Sequence, residues 1–175
     1  MNFFSTLVDN LPTFGPALLM TLKLAAVSLV CASVLGVITG LFSVSPSKIL
    51  QTIATIYIDL IRGTPLLVQT FIVYYGFAQA LRPTGFQWSN IGGPFTAGVV
   101  ALSLNAGAYM AEIVRGGIEA VDVGQVEAAR SLGLTYGQTM RKVILPQAIR
   151  TMLPSIINQF IISLKDTSLI SIIGI

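Results

Sequence analysis

An all-α integral membrane protein with four membrane-spanning helices is the fold class that this sequence predicts. Three observations carry the prediction. The 175 residues are 54% hydrophobic and only 10% charged, against about 25% charged in soluble domains. Several apolar runs approach or exceed the ~20 residues that a helix needs to cross the hydrocarbon of a bilayer. The polar residues gather mainly in one island, residues 115–150, with apolar sequence on both sides.

Composition also excludes several functions. The net charge of +3 is small and spread along the chain, so nucleic acid is not an expected partner. Cys31 is the single cysteine and has no partner for an intrachain disulfide. Histidine is absent, which removes Cys/His metal sites and the Ser-His and Cys-His nucleophilic pairs. Neither a metal nor a cofactor is expected in the chain itself.

The elements follow in order. Met1 to Asn10 carries no Lys or Arg, and the apolar run after it exceeds the roughly 7–15 residues of a signal-peptide core. It is therefore expected to stay as the first span, residues 16–42, which is ~40 Å long at 1.5 Å per residue. Lys23 alone interrupts it, with a stem long enough to snorkel to the interface. Gly36 and Gly40 form a G-x-x-x-G pair that lets another helix approach closely. Pro46 marks the first turn. Residues 49–81 carry Asp59, Arg62, Gly63, Thr64 and Pro65 in their middle. Pro65 lacks an amide hydrogen and drives the residue before it out of helical geometry. This predicts an interfacial helix to about Ile61 and a second span over 65–81. A loop rich in Gly and Pro follows, with Trp88 suited to the membrane interface. Residues 95–114 form the third span and 151–175 the fourth, which contains Lys165 and Asp166.

Loop charges set the orientation. Lys48, Arg115, Arg130, Arg141, Lys142 and Arg150 fall on one side, and Arg82 alone on the other. The positive-inside rule makes the island cytoplasmic and the N-terminus external. Within the island, Asp122-x-x-Gln125 reads as a capping box that starts a short helix, and Gly133 is placed to end it in a left-handed conformation. Thr135-x-x-Gln138 repeats the device. Pro146 prevents the second helix from continuing unchanged. Glu127, Arg130 and Ser131 share a face of the first helix. A compact polar element between spans is either a solvated connector or a place where something outside the membrane takes hold.

Residue spacing here carries a family resemblance. Glu127-Ala128-Ala129, Gly133 and Leu145-Pro146 are spaced as in the EAA loop of bacterial ATP-binding-cassette (ABC) importer permeases, with Val143 where that pattern usually has Ile. Arg62-Gly63-Thr64-Pro65-Leu66-Leu67-Val68-Gln69 resembles the segment typical of the polar amino acid permeases of that family. So do Tyr109-Met110-Ala111-Glu112-Ile113-Val114-Arg115-Gly116-Gly117 and Lys165-Asp166-Thr167-Ser168-Leu169. The resemblance covers nearly the whole chain as a single permease domain. It implies a bacterial inner-membrane protein, and a coupling helix carrying Glu127, Ala128, Ala129, Arg130 and Gly133 that docks on separate ATPase subunits. It also implies an extracytoplasmic solute-binding protein, and a second permease copy or a homologue to complete the pathway. Family members have about five spans, so a further C-terminal helix is expected beyond Ile175. The chain has no G-x-x-x-x-G-K-[ST] loop; ATP is expected in the partner subunits.

Ionisable groups inside spans are costly and functional by default. Counted from Pro154, Lys165 lies ~16 Å along its span, and counted from Phe95, Asn105 lies ~15 Å along its own, about mid-membrane. Asn105, Tyr109 and Glu112 are spaced i, i+4, i+7 and share one helix face. An amino acid needs a cation or amide donors for its carboxylate and a carboxylate for its ammonium. Lys165 is the candidate for the first role, Asp166 or Glu112 for the second, and Asn105 for orienting either end. Leu67 completes the expected cargo contacts, and with Thr64 and Pro65 belongs to an inner gate. Alternatively, Lys165 and Asp166 neutralise each other, and Glu112 pairs with Arg115 or Arg62. The sequence thus predicts the transmembrane subunit of an ATP-driven amino acid importer, with an ATP-independent channel or ion-coupled carrier as the alternative. It does not name the amino acid.

Overall fold

A computed structural model describes residues 3–174; Ile175, the end of the fourth predicted span, lies outside them. The described residues form α1 (Phe3–Ser43), α2 (Lys48–Arg62), α3 (Leu66–Phe71), α4 (Phe77–Ala80), α5 (Gly93–Glu119), α6 (Val123–Ser131), α7 (Tyr136–Thr139) and α8 (Leu145–Ile170). Turns of π-helix, Ile72–Gly76 and Met140–Ile144, join α3 to α4 and α7 to α8. By length and composition, three helices could cross a membrane, and the bent pair Lys48–Arg62 with Leu66–Ala80 makes a fourth if counted as one.

α5 is the central helix. Its small residues Ala97, Ala101, Ala106, Ala108 and Ala111 are buried, which lets neighbouring backbones come close where van der Waals packing replaces the hydrophobic drive. The G-x-x-x-G pair of α1 packs here. A Cβ at Gly36 would stand 2.9 Å from Gly107 O, and one at Gly40 2.9 Å from Ala111 O. Tyr57 ties α2 to the same helix by donating its hydroxyl hydrogen to Leu104 O at 2.7 Å. Leu24, Leu66, Trp88, Leu102 and Ile170 form an apolar cluster at one end of the bundle. Val114, Ile118, Ile144, Ala148 and Met152 form another at the polar island. Along both α5 and α8 the buried polar residues fall between these clusters.

Several boundaries differ from the sequence expectation. α1 starts at Phe3 and runs through Pro12 and Pro16, so neither proline ends it. Trp88 is 8% exposed: its indole donates to Tyr74 O at 2.9 Å and packs edge-on against Phe86. The last helix starts well before residue 151 and contains Pro154. Pro146 has no N–H for a carbonyl four residues back, and the π turn removes the conflict, with the Leu145 N–H reaching Met140 O five residues back. The second island helix and the last predicted span therefore run on as one rod.

Candidate functional site

The site is built at the break after α2. α2 ends at Arg62, the chain turns by 104°, and α3 leaves in a new direction. Pro65 sits at φ −63, ψ 140, so the helix cannot pass through it. Gly63 is required for space rather than for an unusual dihedral, because a Cβ there would stand 2.8 Å from Asp59 O. Broken backbone at membrane depth must find substitute partners. Gln69, buried in α3, supplies them: its Nε2 lies 2.6 Å from Ile61 O, 2.9 Å from Thr64 O and 2.8 Å from Thr64 Oγ1. Its Oε1 accepts from Asn105 Nδ2 of α5 at 3.0 Å.

A cavity of about 570 Å³ opens beside this network, and its walls include Arg62, Thr64, Pro65, Asn105, Tyr109 and Asp166. That volume suits a small molecule. Gln159 and Ile162 of α8 complete the far wall. A second cavity, of about 670 Å³, shares Arg62, Tyr109 and Gln159 and extends past Glu112 towards Met152. Arg62 stands at the junction. Its guanidinium is 3.2 Å from Glu112 Oε2 and 5.4 Å from the centre of the Tyr109 ring. Glu112 also receives two hydrogen bonds from Arg115, at 3.1 and 2.9 Å, and Arg115 continues to Glu119 at 2.7 Å. The result is a charge ladder along one edge of α5, with Arg62 as its rung on the other side of the break.

The sequence-predicted residues separate into three groups. Asn105, Tyr109 and Asp166 meet at one cavity, as one face of α5 opposite one face of α8. Glu112 lies a turn further along, paired with Arg62 and Arg115 rather than open to that cavity. Lys165 lines a different cavity, against Ala17, Thr21 and Leu24 of α1, because adjacent helical residues point about 100° apart. Leu66, not Leu67, walls the cavity beside the break; Leu67 is half-buried. Sequence reasoning passed over Gln159, which lies seven residues before Asp166 and so on the same face of α8. It also gave Gln69 no role. Among the described residues, no three acidic or Cys side chains gather as metal ligands.

The short helices of the polar island, α6 and α7, line neither of these cavities. Asp122 Oδ1 accepts from Gly124 N at 2.7 Å and caps α6, without Gln125 returning the bond that a full capping box requires. The Thr135–Gln138 box is complete. Gly133 adopts φ +81, and Leu134 N to Ala129 O with Gly133 N to Arg130 O closes the helix in a Schellman turn. Ala129 is buried, whereas Glu127, Ala128 and Arg130 are exposed. Val126 carries the element onto the apolar cluster of α5 and α8.

Residues 32–175 match the family described as the binding-protein-dependent transport system inner membrane component. The chain belongs to that family. Its relatives within the inner-membrane component family include the arginine transport system permease protein ArtQ of Bacillus subtilis, 41% identical over 172 residues, 98% of this chain and 75% of that protein. The glutamine transport system permease protein GlnP of Escherichia coli is 40% identical over 156 residues, 89% of this chain and 68% of that one. The L-cystine transport system permease protein TcyL of Bacillus subtilis is 41% identical over 167 residues, 95% of this chain and 70% of that protein. A crystal structure of an amino acid ABC transporter with histidines superposes with a TM-score of 0.88 at 44% identity, covering 100% of this chain and 78% of that one. The all-α membrane fold and the amino acid ABC permease resemblance both hold.

Proposed function

We propose that this chain is the transmembrane subunit of an ATP-driven importer that moves a polar amino acid handed to it by an external solute-binding protein. A separate pair of ATPase subunits binds the cytoplasmic face, one at each Glu127-bearing α6 of a permease pair. Closure of that pair rotates α6 and, through the rod that α7 and α8 form, changes the access of the cavity at the break. Asn105, Tyr109 and Asp166 receive the cargo. The Arg62–Glu112 pair closes the inner side. No covalent bond changes in this subunit.

What supports the reading most directly is the cavity itself. Asn105, buried near the middle of α5, and Asp166, half-buried near the end of α8, line one space of amino acid size. Such groups are expensive in a membrane unless a polar passenger uses them. The names of the relatives, which specify arginine, glutamine and cystine, support an amino acid as that passenger. Reconstitution with the partner ATPase and binding protein in liposomes tests the reading. Uptake should require both the ATPase and ATP; undiminished uptake without them would return the channel or carrier as the better account.

A further inference from the structure

Gln69 does not wall the cargo cavity, yet it decides what Asn105 offers there. Pro65 has no N–H, so Ile61 O loses the donor that a continuous helix would give it and keeps only long contacts from Thr64 N at 3.3 Å and Thr64 Oγ1 at 3.2 Å. Gln69 Nε2 provides a donor at 2.6 Å, and the same nitrogen faces Thr64 O and Thr64 Oγ1. The Thr64 hydroxyl hydrogen is committed to the carbonyls of Leu60 and Ile61, at 3.0 and 3.2 Å, so Oγ1 meets Gln69 as an acceptor. Three acceptors therefore surround one end of the Gln69 carboxamide. Turned over, that amide would place its own oxygen against the two carbonyl oxygens of Ile61 and Thr64 in a buried setting, and could keep a hydrogen bond only if the Thr64 hydroxyl turned away from its own carbonyl partners.

The orientation of Gln69 propagates. Its Oε1 must face α5, where only a donor satisfies it, so Asn105 presents Nδ2, at 3.0 Å. That leaves Asn105 Oδ1 for the cavity. Among the described residues no group bonds this oxygen, and it is not sealed from the space that Asn105 lines. The same wall carries the Asp166 carboxylate, the Tyr109 ring and the Gln159 carboxamide. Arg62, the cation of the same wall, is engaged by Glu112.

We infer that Gln69 is a positioning residue: through Asn105 it turns an acceptor into the cavity, which then selects the cationic N–H head of an amino acid over its carboxylate. The inference rests on the cavity being the cargo site. The proline break thus serves recognition as well as shape, because the carbonyl it frees sets the polarity of a side chain on another helix.

The test uses the permease assembled with its ATPase in nanodiscs, without the solute-binding protein. Saturable binding of labelled arginine, glutamine or cystine to the wild-type complex establishes the site, and its absence for all three overturns the cargo reading itself. With binding in hand, two competitors divide the amino acid: its methyl ester keeps the ammonium, and its N-acetyl derivative keeps the carboxylate. The ester should compete about tenfold better, the worth of one charge-assisted hydrogen bond. Gln69→Leu frees Asn105 to turn, and that preference should collapse towards one. Gln69→Glu, held protonated because its O–H must donate to Ile61 O, keeps its carbonyl oxygen facing Asn105, and the preference should survive. A purely structural role would affect both variants alike. An unchanged preference in Gln69→Leu would overturn the inference, as would an N-acetyl derivative that competes equally well in the wild type. Should Gln69→Leu fail to assemble, the wild-type competitors and Gln69→Glu carry the test.

Discussion

Arg62 holds its guanidinium between a carboxylate and an aromatic face, where the two cavities meet. Both members of the Arg62–Glu112 pair are partly open to solvent, at 41% and 24% exposure, so the pair is worth no more than about 1 kcal/mol to stability. Its effect should be on passage instead. Arg62→Gln should leave thermal unfolding nearly unchanged and raise the efflux of preloaded amino acid from liposomes several-fold; efflux at the wild-type rate would remove the pair from the gate. Asp166 is the complementary case. On the proposed function Asp166→Asn removes the charge offered to an ammonium, and cargo binding should weaken about tenfold or more, since hydrogen bonds to charged groups contribute ~1.5–3 kcal/mol. Equilibrium binding to the assembled complex measures it. At this scale spacing was informative wherever one helix sufficed: i, i+4, i+7 placed Asn105, Tyr109 and Glu112 on one face. It could not assign Lys165, because whether its face meets α1 or α5 is a tertiary fact. Gln69 stayed hidden for the same reason, since its partners are carbonyls freed by a proline four residues earlier in the chain.

At the scale of elements, local chemistry was legible in both breaks. Gly63-Thr64-Pro65 announced a discontinuity, and Gly133 with Thr135-x-x-Gln138 announced a corner and a restart. What Pro146 would do was not legible. A proline read from sequence suggests a helix end, and a π turn is an equally good way to lose one hydrogen bond while keeping the rod. That difference matters for transmission, because α7, the π turn and α8 run from the island to Asp166 as one piece. The contact of α1 with α5 is the element whose packing is tightest. Gly36→Ala would push a methyl group against Met110 and Gly107 O, and overpacking of this kind costs about 1–3 kcal/mol. The thermal transition of the solubilised protein should fall accordingly. An unshifted transition would mean that α1 can slide away from α5 at little cost.

For the whole molecule, composition alone announced a membrane protein, and the motif set announced its family. The sequence could not show that cavity and island lie apart, joined by α5 and α8 and separated by an apolar cluster. This separation is what an importer of the proposed kind needs: the motor touches one site and the cargo the other. The measurement that bears on it most directly is the number of amino acid molecules imported per ATP hydrolysed, in liposomes holding the full transporter, for the wild type and for Glu127→Lys. Glu127 is exposed on α6 and far in sequence from every cavity wall residue of α5 and α8 near the break, so reversing its charge should spare the membrane fold and the cargo site. The account predicts continued hydrolysis with import per ATP falling close to zero in Glu127→Lys. An unchanged ratio in that variant, or full import by the wild type with no ATP present, would contradict it.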